Sequence, residues 1–186
     1  MKPWLLNILA CPIDKHHPLE AYFYRWENTE EEMEKMSREA GTPSPLFSKQ
    51  YLHLAKQMAD GTISPQALKE IRDMAGVSYA MELLDGVNSF MGQLAGVGKP
   101  GEKELLRDHP EGMDVLYRYL NLVEVEEGLL RCSECGRWYP IGSAVESIPE
   151  LMPDDLRERD RDLEWLTKWK EKLPEQVLRD GRPYTL

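Results

Sequence analysis

The chain has 186 residues, of which 41% are hydrophobic and 30% charged, and its formal net charge is -10 at pH 7. This composition is typical of a folded globular protein, and the length allows one sizeable domain or two small ones. The negative charge repels phosphate backbones and disfavours direct nucleic-acid binding, and no apolar run reaches the roughly 20 residues of a transmembrane helix. We therefore expect a cytoplasmic protein that does not enter a membrane.

The first 26 residues combine an apolar start with an aromatic second half. The apolar run of residues 4–10 stops at Cys11 and Pro12. Residues 19–26 are rich in aromatic side chains and partly alternate in polarity, which predicts a β-strand.

The middle of the chain carries helical signals. Thr29 and Glu32 form a capping-box pattern that predicts a helix start. Ser64, followed by a proline, predicts another helix, which we expect to continue through Met74. Further helices are predicted over residues 46–58, 79–94 and 110–117, with the Gly-rich segment 96–101 as a break. Residues 27–117 are thus predicted to form an inserted helical domain.

Strand character returns after this block. Residues 120–126 and, beyond a turn, 129–131 favour β structure, and residues 138–141 favour a further short strand. Pro140 lacks an N–H group, which restricts that last strand to a sheet edge or a terminus.

The charged segment of residues 154–186 is predicted to be a helical tail. Its apolar residues Leu163, Leu166, Trp169 and Leu173 recur every three or four positions. Such a stripe either packs on the body of the protein or binds a partner, and residues 179–186 are expected to fray.

The cysteines indicate a metal site. There are three of them in the chain, an odd number, and Cys132 and Cys135 have the Cys-x-x-Cys spacing in which two thiolates can bind one ion. Gly136 allows the tight turn that such a knuckle needs. Structural zinc is usually held by four ligands, so we expect Cys11 to complete the set together with one more donor.

The fourth ligand is left open by the residue types. Asp14, His16 and His17 all lie close to Cys11, and each can bind zinc. We prefer His16, because an imidazole nitrogen suits a site rich in cysteine. A site closed by Cys11, His16, Cys132 and Cys135 would be structural and not catalytic, since no position remains for water.

These predictions give an α+β fold made of three parts. Residues 1–26 and 118–153 form a small zinc-ribbon-like β domain, residues 27–117 are inserted into it as a helical domain, and residues 154–186 follow as a C-terminal helix. The ion would connect two segments that are far apart in sequence.

Three segments resemble a known family in their order along the chain: residues 5–12, 128–141 and 147–152. The resemblance is to the small zinc-binding activator subunit that several tRNA, rRNA and release-factor methyltransferases share. It implies a protein without catalytic residues of its own, which forms a heterodimer with a methyltransferase catalytic subunit. S-adenosylmethionine would be bound only by that partner, and RNA would be contacted at most indirectly.

The resemblance also implies a docking surface. In that family the contact commonly includes strand pairing with the partner's sheet, which an edge strand favours. The matching residues here are Leu6, Asn7, Ile8, Tyr139, Pro140, Ile141, Ile148 and Pro149.

Two other functions compete with the activator subunit. In a zinc-ribbon module that binds nucleic acid, Arg131 and Arg137 would contact phosphate while Trp138 stacks on a base. In a redox protein, Cys132 and Cys135 would form a reversible pair, although the βαβ pattern of a thioredoxin-like protein is missing around them.

Overall fold

The protein, seen in a computed structural model that describes residues 1–96, 98 and 100–186, is built on a four-stranded sheet. Its strands are β1 (Glu20–Trp26), β2 (Ile71–Asp73), β3 (Val125–Arg131) and β4 (Trp138–Ile141), in the order β2-β1-β3-β4. The β1 and β2 strands are parallel, and the other neighbouring pairs are antiparallel. The sheet is thus assembled from distant parts of the sequence.

Eight α-helices surround the sheet within the described part of the chain. They are α1 (Glu30–Glu39), α2 (Ser48–Asp60), α3 (Pro65–Lys69), α4 (Ser78–Ala95), α5 (Glu102–Asp108), α6 (Pro110–Asn121), α7 (Arg159–Lys168) and α8 (Glu175–Asp180). The expected mixed α+β class is confirmed. Of the Gly-rich segment 96–101, positions 97 and 99 lie outside the described residues.

Local sequence signals place several helix ends correctly. Thr29 Oγ1 accepts a hydrogen bond from the Glu32 N–H at 3.3 Å, and the Thr29 N–H donates to Glu32 Oε2 at 2.9 Å, as a capping box requires. The predicted strand over residues 120–126 is partly wrong, because Leu120 and Asn121 still belong to α6. That helix buries Leu120 completely, so packing extends it beyond its expected end.

The prediction that the helix after Ser64 continues through Met74 is also wrong. It ends at Lys69, and the next residues form β2, with Ile71 opposite Ala21 of β1. The Ala21 N–H donates to the Glu70 carbonyl at 3.0 Å, and the Met74 N–H donates to the Phe23 carbonyl at 2.8 Å. Pairing with β1 outweighs the three-residue periodicity, because a buried strand must satisfy its backbone groups.

The sheet separates two hydrophobic clusters. Adjacent β3 residues face opposite sides: Leu130 belongs to the cluster shared with helices α1 to α6, and Leu129 to the cluster shared with the tail. Tyr24 and Trp138 also lie on the tail side, against Trp165 of α7. The tail therefore packs on the body of the protein and covers one face of the sheet.

The turn after β4 depends on Gly142. Its φ is +81°, and a Cβ placed there would lie 2.3 Å from the Glu126 carbonyl oxygen. We expect Gly142→Ala to lower the free energy of unfolding by at least about 2 kcal/mol, because strain in the left-handed region and a clash with backbone add together. Denaturant titration would measure the loss.

Gly76 provides the matched control for this substitution. Its φ is also +81°, yet nothing lies within 4 Å of a Cβ built on it. Gly76→Ala should therefore lower the free energy of unfolding by only about 1–2 kcal/mol, which is the cost of placing alanine in a left-handed backbone conformation. Equal losses in the two variants would show that the close approach at Gly142 contributes nothing.

Candidate metal centre

Four side chains from the two predicted cysteine segments converge at one end of the sheet. They are Cys11, Asp14, Cys132 and Cys135, whose potential ligand atoms all lie within 4.8 Å of one another. Cys11 and Cys132 are buried, Cys135 is half-buried and Asp14 is exposed. The cluster thus contains the three predicted cysteines and one carboxylate.

Each segment is folded by its own backbone hydrogen bonds. The Cys11 N–H donates to the His16 carbonyl at 2.9 Å, and the Lys15 N–H donates to the Cys11 carbonyl at 2.9 Å. In the second segment the Gly136 N–H donates to the Cys132 carbonyl at 3.0 Å, with a Gly136 φ of +72°. The left-handed glycine thus forms the tight knuckle expected from the sequence.

The spacing of the donors fits a tetrahedral ion. Cys11 Sγ lies 3.7 Å from Cys135 Sγ, and Cys132 Sγ lies 3.3 Å from Asp14 Oδ2. Tetrahedral zinc with Zn–S bonds of about 2.3 Å would hold two sulfurs about 3.8 Å apart, and a sulfur and a carboxylate oxygen about 3.5 Å apart. All three cysteines are free thiols, so the residues present can hold a structural zinc ion.

The electrostatics of the cluster differ between the carboxylate and the thiols. The His16 N–H donates to Asp14 Oδ1 at 3.0 Å and, with the neighbouring thiols, holds the pKa of Asp14 well below its usual range. Burial raises the pKa of the Cys132 thiol to about 12. Asp14 is thus ionised at neutral pH, while Cys132 gives up its proton only when a cation compensates the charge.

His16, the preferred fourth ligand, lies beside the cluster. Its Nε2 atom is 3.0 Å from Ser133 Oγ, so the ring closes the first segment onto the second. Nδ1 of His17 lies 2.9 Å from the Leu9 carbonyl. The geometry favours Asp14, in the Cys-x-x-Asp spacing that was the alternative, and the identity of the fourth ligand stays a prediction.

Tyr139 is a site residue that the sequence assigned to a different role. Its side chain is buried, and its hydroxyl lies 3.2 Å from Cys11 Sγ, within hydrogen-bond distance. Burial is also the main cause that raises the pKa of Tyr139. Side chains alternate along β4, so the tail-facing Trp138 places its neighbour Tyr139 on the side of the thiols.

The residues predicted to contact a partner fall into two groups. Five of them are buried within the chain itself: Leu6, Asn7, Tyr139, Pro140 and Ile141. Ile8 and Ile148 are 55% and 51% exposed, and Pro149 is half-buried. Only Ile8, Ile148 and part of Pro149 are therefore accessible to another protein in this arrangement.

Comparison with known proteins identifies a family. The family model for the Trm112p-like protein matches residues 2–142, which include all four side chains of the cluster. No curated protein matches the chain. Within the described residues, none of the helices has both the length and the apolar character needed to cross a membrane. The chain therefore belongs to the Trm112p-like protein family, the family of methyltransferase activator subunits that its cysteine segments indicate.

Proposed function

We propose that this chain is the non-catalytic activating subunit of S-adenosylmethionine-dependent methyltransferases that act on tRNA, rRNA or a release factor. The observation that carries the proposal is the family match over both cysteine segments. The catalytic residues and the S-adenosylmethionine site would belong to the partner, with which the chain forms a heterodimer.

Zinc would stabilise the subunit. Cys11, Asp14, Cys132 and Cys135 supply four donors, which fill a tetrahedral site and leave no position for substrate or water. The ion would neutralise the thiolates and connect residues 1–26 to residues 118–153 as one zinc-ribbon-like unit. This role is structural and needs no catalytic group from the chain.

The exposed apolar residues of the predicted docking set support a protein partner. Ile8 and Ile148 would contact the methyltransferase directly, and the buried residues Leu6, Tyr139 and Ile141 would shape the surface from below. Exposed apolar side chains of this kind are a usual feature of interaction surfaces.

The three residues that favoured a nucleic-acid module already make contacts within the chain. Arg131 Nη1 lies 2.7 Å from Glu20 Oε2, and Arg137 makes a bidentate contact with Asp154. Trp138 is fully buried. Direct binding of RNA through these three side chains would require the pairs to break, so we assign any contact with RNA to the methyltransferase.

The proposal is tested by producing the full chain together with candidate methyltransferases of the source organism, one at a time. We expect at least one of them to form a stable heterodimer and to be at least about tenfold more active than without the chain.

Ile148→Asp should weaken binding by at least about tenfold, since it buries a charge in an apolar contact. Leu52→Asp is the control, because Leu52 is an exposed residue of α2.

If Leu52→Asp weakens binding as much as Ile148→Asp does, the interface does not lie beside β4. Absence of any heterodimer with the tRNA, rRNA and release-factor enzymes would overturn the proposed function.

A further inference from the structure

The outer edge of β4 is paired with the chain's own C-terminus. Arg137 and Arg182 form a parallel β-bridge, in which the Trp138 N–H donates to the Arg182 carbonyl at 3.0 Å. The Arg182 N–H donates to the Gly136 carbonyl at 3.1 Å, and the Trp138 indole N–H donates to the Tyr184 carbonyl at 2.9 Å. Residues 179–186, which were expected to fray, thus include Arg182 and Tyr184, whose backbone groups contact this edge.

Other parts of the chain cover the rest of this edge. The Trp138 carbonyl accepts a hydrogen bond from Arg157 Nη1 at 2.8 Å, and the Pro140 carbonyl accepts one from the Glu150 N–H at 2.9 Å. An exposed sheet edge accepts an added strand, so these contacts close a surface that could otherwise bind one. Arg157, Arg182 and Tyr184 lie beyond residues 2–142, the part that the family model matches.

The tail is held unequally along its length. In α7, Trp165 and Leu166 are buried, and Arg157 forms an ion pair with Asp162 at 2.9 Å in which both side chains are 1% exposed. At the C-terminal end, Arg182 is exposed and is held by the backbone hydrogen bonds at the β4 edge. Segments with few buried apolar contacts open first, so the last residues can leave while α7 stays in place.

We propose that the start of the outer β4 edge, at Gly136 and Trp138, is a strand-accepting site whose resident occupant is residues 182–186. The occupant leaves when a methyltransferase adds its own strand in the same parallel direction. This inference rests on the proposed function and adds that the chain competes with its partner for one site. When a site is open for only a fraction of the time, the apparent Kd for its partner equals the Kd of the open site divided by that fraction.

The test compares three chains in the binding of one partner methyltransferase. A chain that ends at Gly181 lacks all the edge contacts of residues 182–184, and we expect its Kd to be about tenfold lower than that of the full chain. A chain that ends at Tyr184 keeps those contacts and loses the hydrogen bonds of Thr185 Oγ1 to the Leu178 and Leu186 carbonyls. Its Kd should lie within about twofold of the full chain.

Hydrogen exchange at the Trp138 amide supplies a second readout. We expect this amide to be protected in the full chain, to exchange faster in the chain that ends at Gly181, and to become protected again when the methyltransferase binds. Should the shortened chain fail to fold, R182P in the full chain removes the donor to the Gly136 carbonyl and should also lower the Kd. A segment with a purely structural role would not tighten binding when it is removed.

Equal affinity of the full and shortened chains would overturn the inference and leave the proposed function standing. Failure of every chain to bind any of the methyltransferases would overturn both.

Discussion

Arg157→Ala is expected to lower the free energy of unfolding by about 3–5 kcal/mol, because it removes one partner of a buried ion pair. Arg157 Nε lies 2.9 Å from Asp162 Oδ2, and the Arg157 guanidinium also stacks on the Trp138 ring at 4.5 Å. Alanine would leave the Asp162 carboxylate buried without its cation and the Trp138 carbonyl without its donor. Urea titration at fixed protein concentration would measure the change.

An exposed pair on the same tail is the control. Arg179 lies 3.2 Å from Glu175, and the two side chains are 70% and 77% exposed. Arg179→Ala should change the free energy of unfolding by less than about 0.5 kcal/mol, as is usual for surface pairs. Replacing Arg157 by Met and Asp162 by Leu together should recover part of the loss. A loss below about 1 kcal/mol for Arg157→Ala would show that the buried pair contributes little to the folded state.

The start of α1 and the central strand β1 could be predicted from local patterns. The capping box of Thr29 and Glu32 and the aromatic strand that became β1 depend on neighbouring residues, which a sequence displays directly. The short strand β2 could not be found in this way. It has three residues and exists because the edge of β1 is available to it, a condition set by the tertiary fold.

The candidate metal site likewise has a part that the sequence predicts and a part that depends on the fold. The cysteines were identified from chemistry and spacing, since few other roles explain an odd number of thiols in a Cys-x-x-Cys context. The fourth donor could not be identified from residue types, because Asp14, His16 and His17 all bind zinc. Their directions are set by the loop closed between Cys11 and His16, which points the carboxylate of Asp14 at the thiols and the His16 ring at Ser133.

The predicted docking residues show a further limit of sequence analysis. Tyr139 and Ile141 belong to a strand near the sheet edge, yet both side chains pack into the core. The tail that covers the backbone of this edge lies outside the part of the chain that resembles the family. The resemblance to the family therefore predicts a docking strand, while the backbone groups of Gly136 and Trp138 at its start are paired with Arg182 of this chain's own C-terminal segment.

Removal of metal is expected to destabilise the protein by an amount that the free zinc concentration sets. An ion that binds only the folded chain contributes about 4 kcal/mol when its free concentration is a thousand times the Kd. Denaturant titrations with buffered zinc and with a chelator should therefore differ by an amount that grows with the logarithm of free zinc. Coincident curves would show that packing alone holds residues 1–26 to residues 118–153.

The identity of the fourth ligand can be decided with two matched variants. Asp14→Ala should raise the zinc Kd by more than about 100-fold, beyond the range that changes around the ligands usually cause. His16→Ala should raise it by less than about tenfold, because the His16 ring reaches Ser133 and not the centre of the cluster. Competition with a chromophoric chelator would give both constants, and elemental analysis would give the zinc content per chain. The reverse order, with zinc lost from His16→Ala and retained by Asp14→Ala, would identify His16 as the ligand and would mean that the loop closed by Cys11 rearranges when the ion binds.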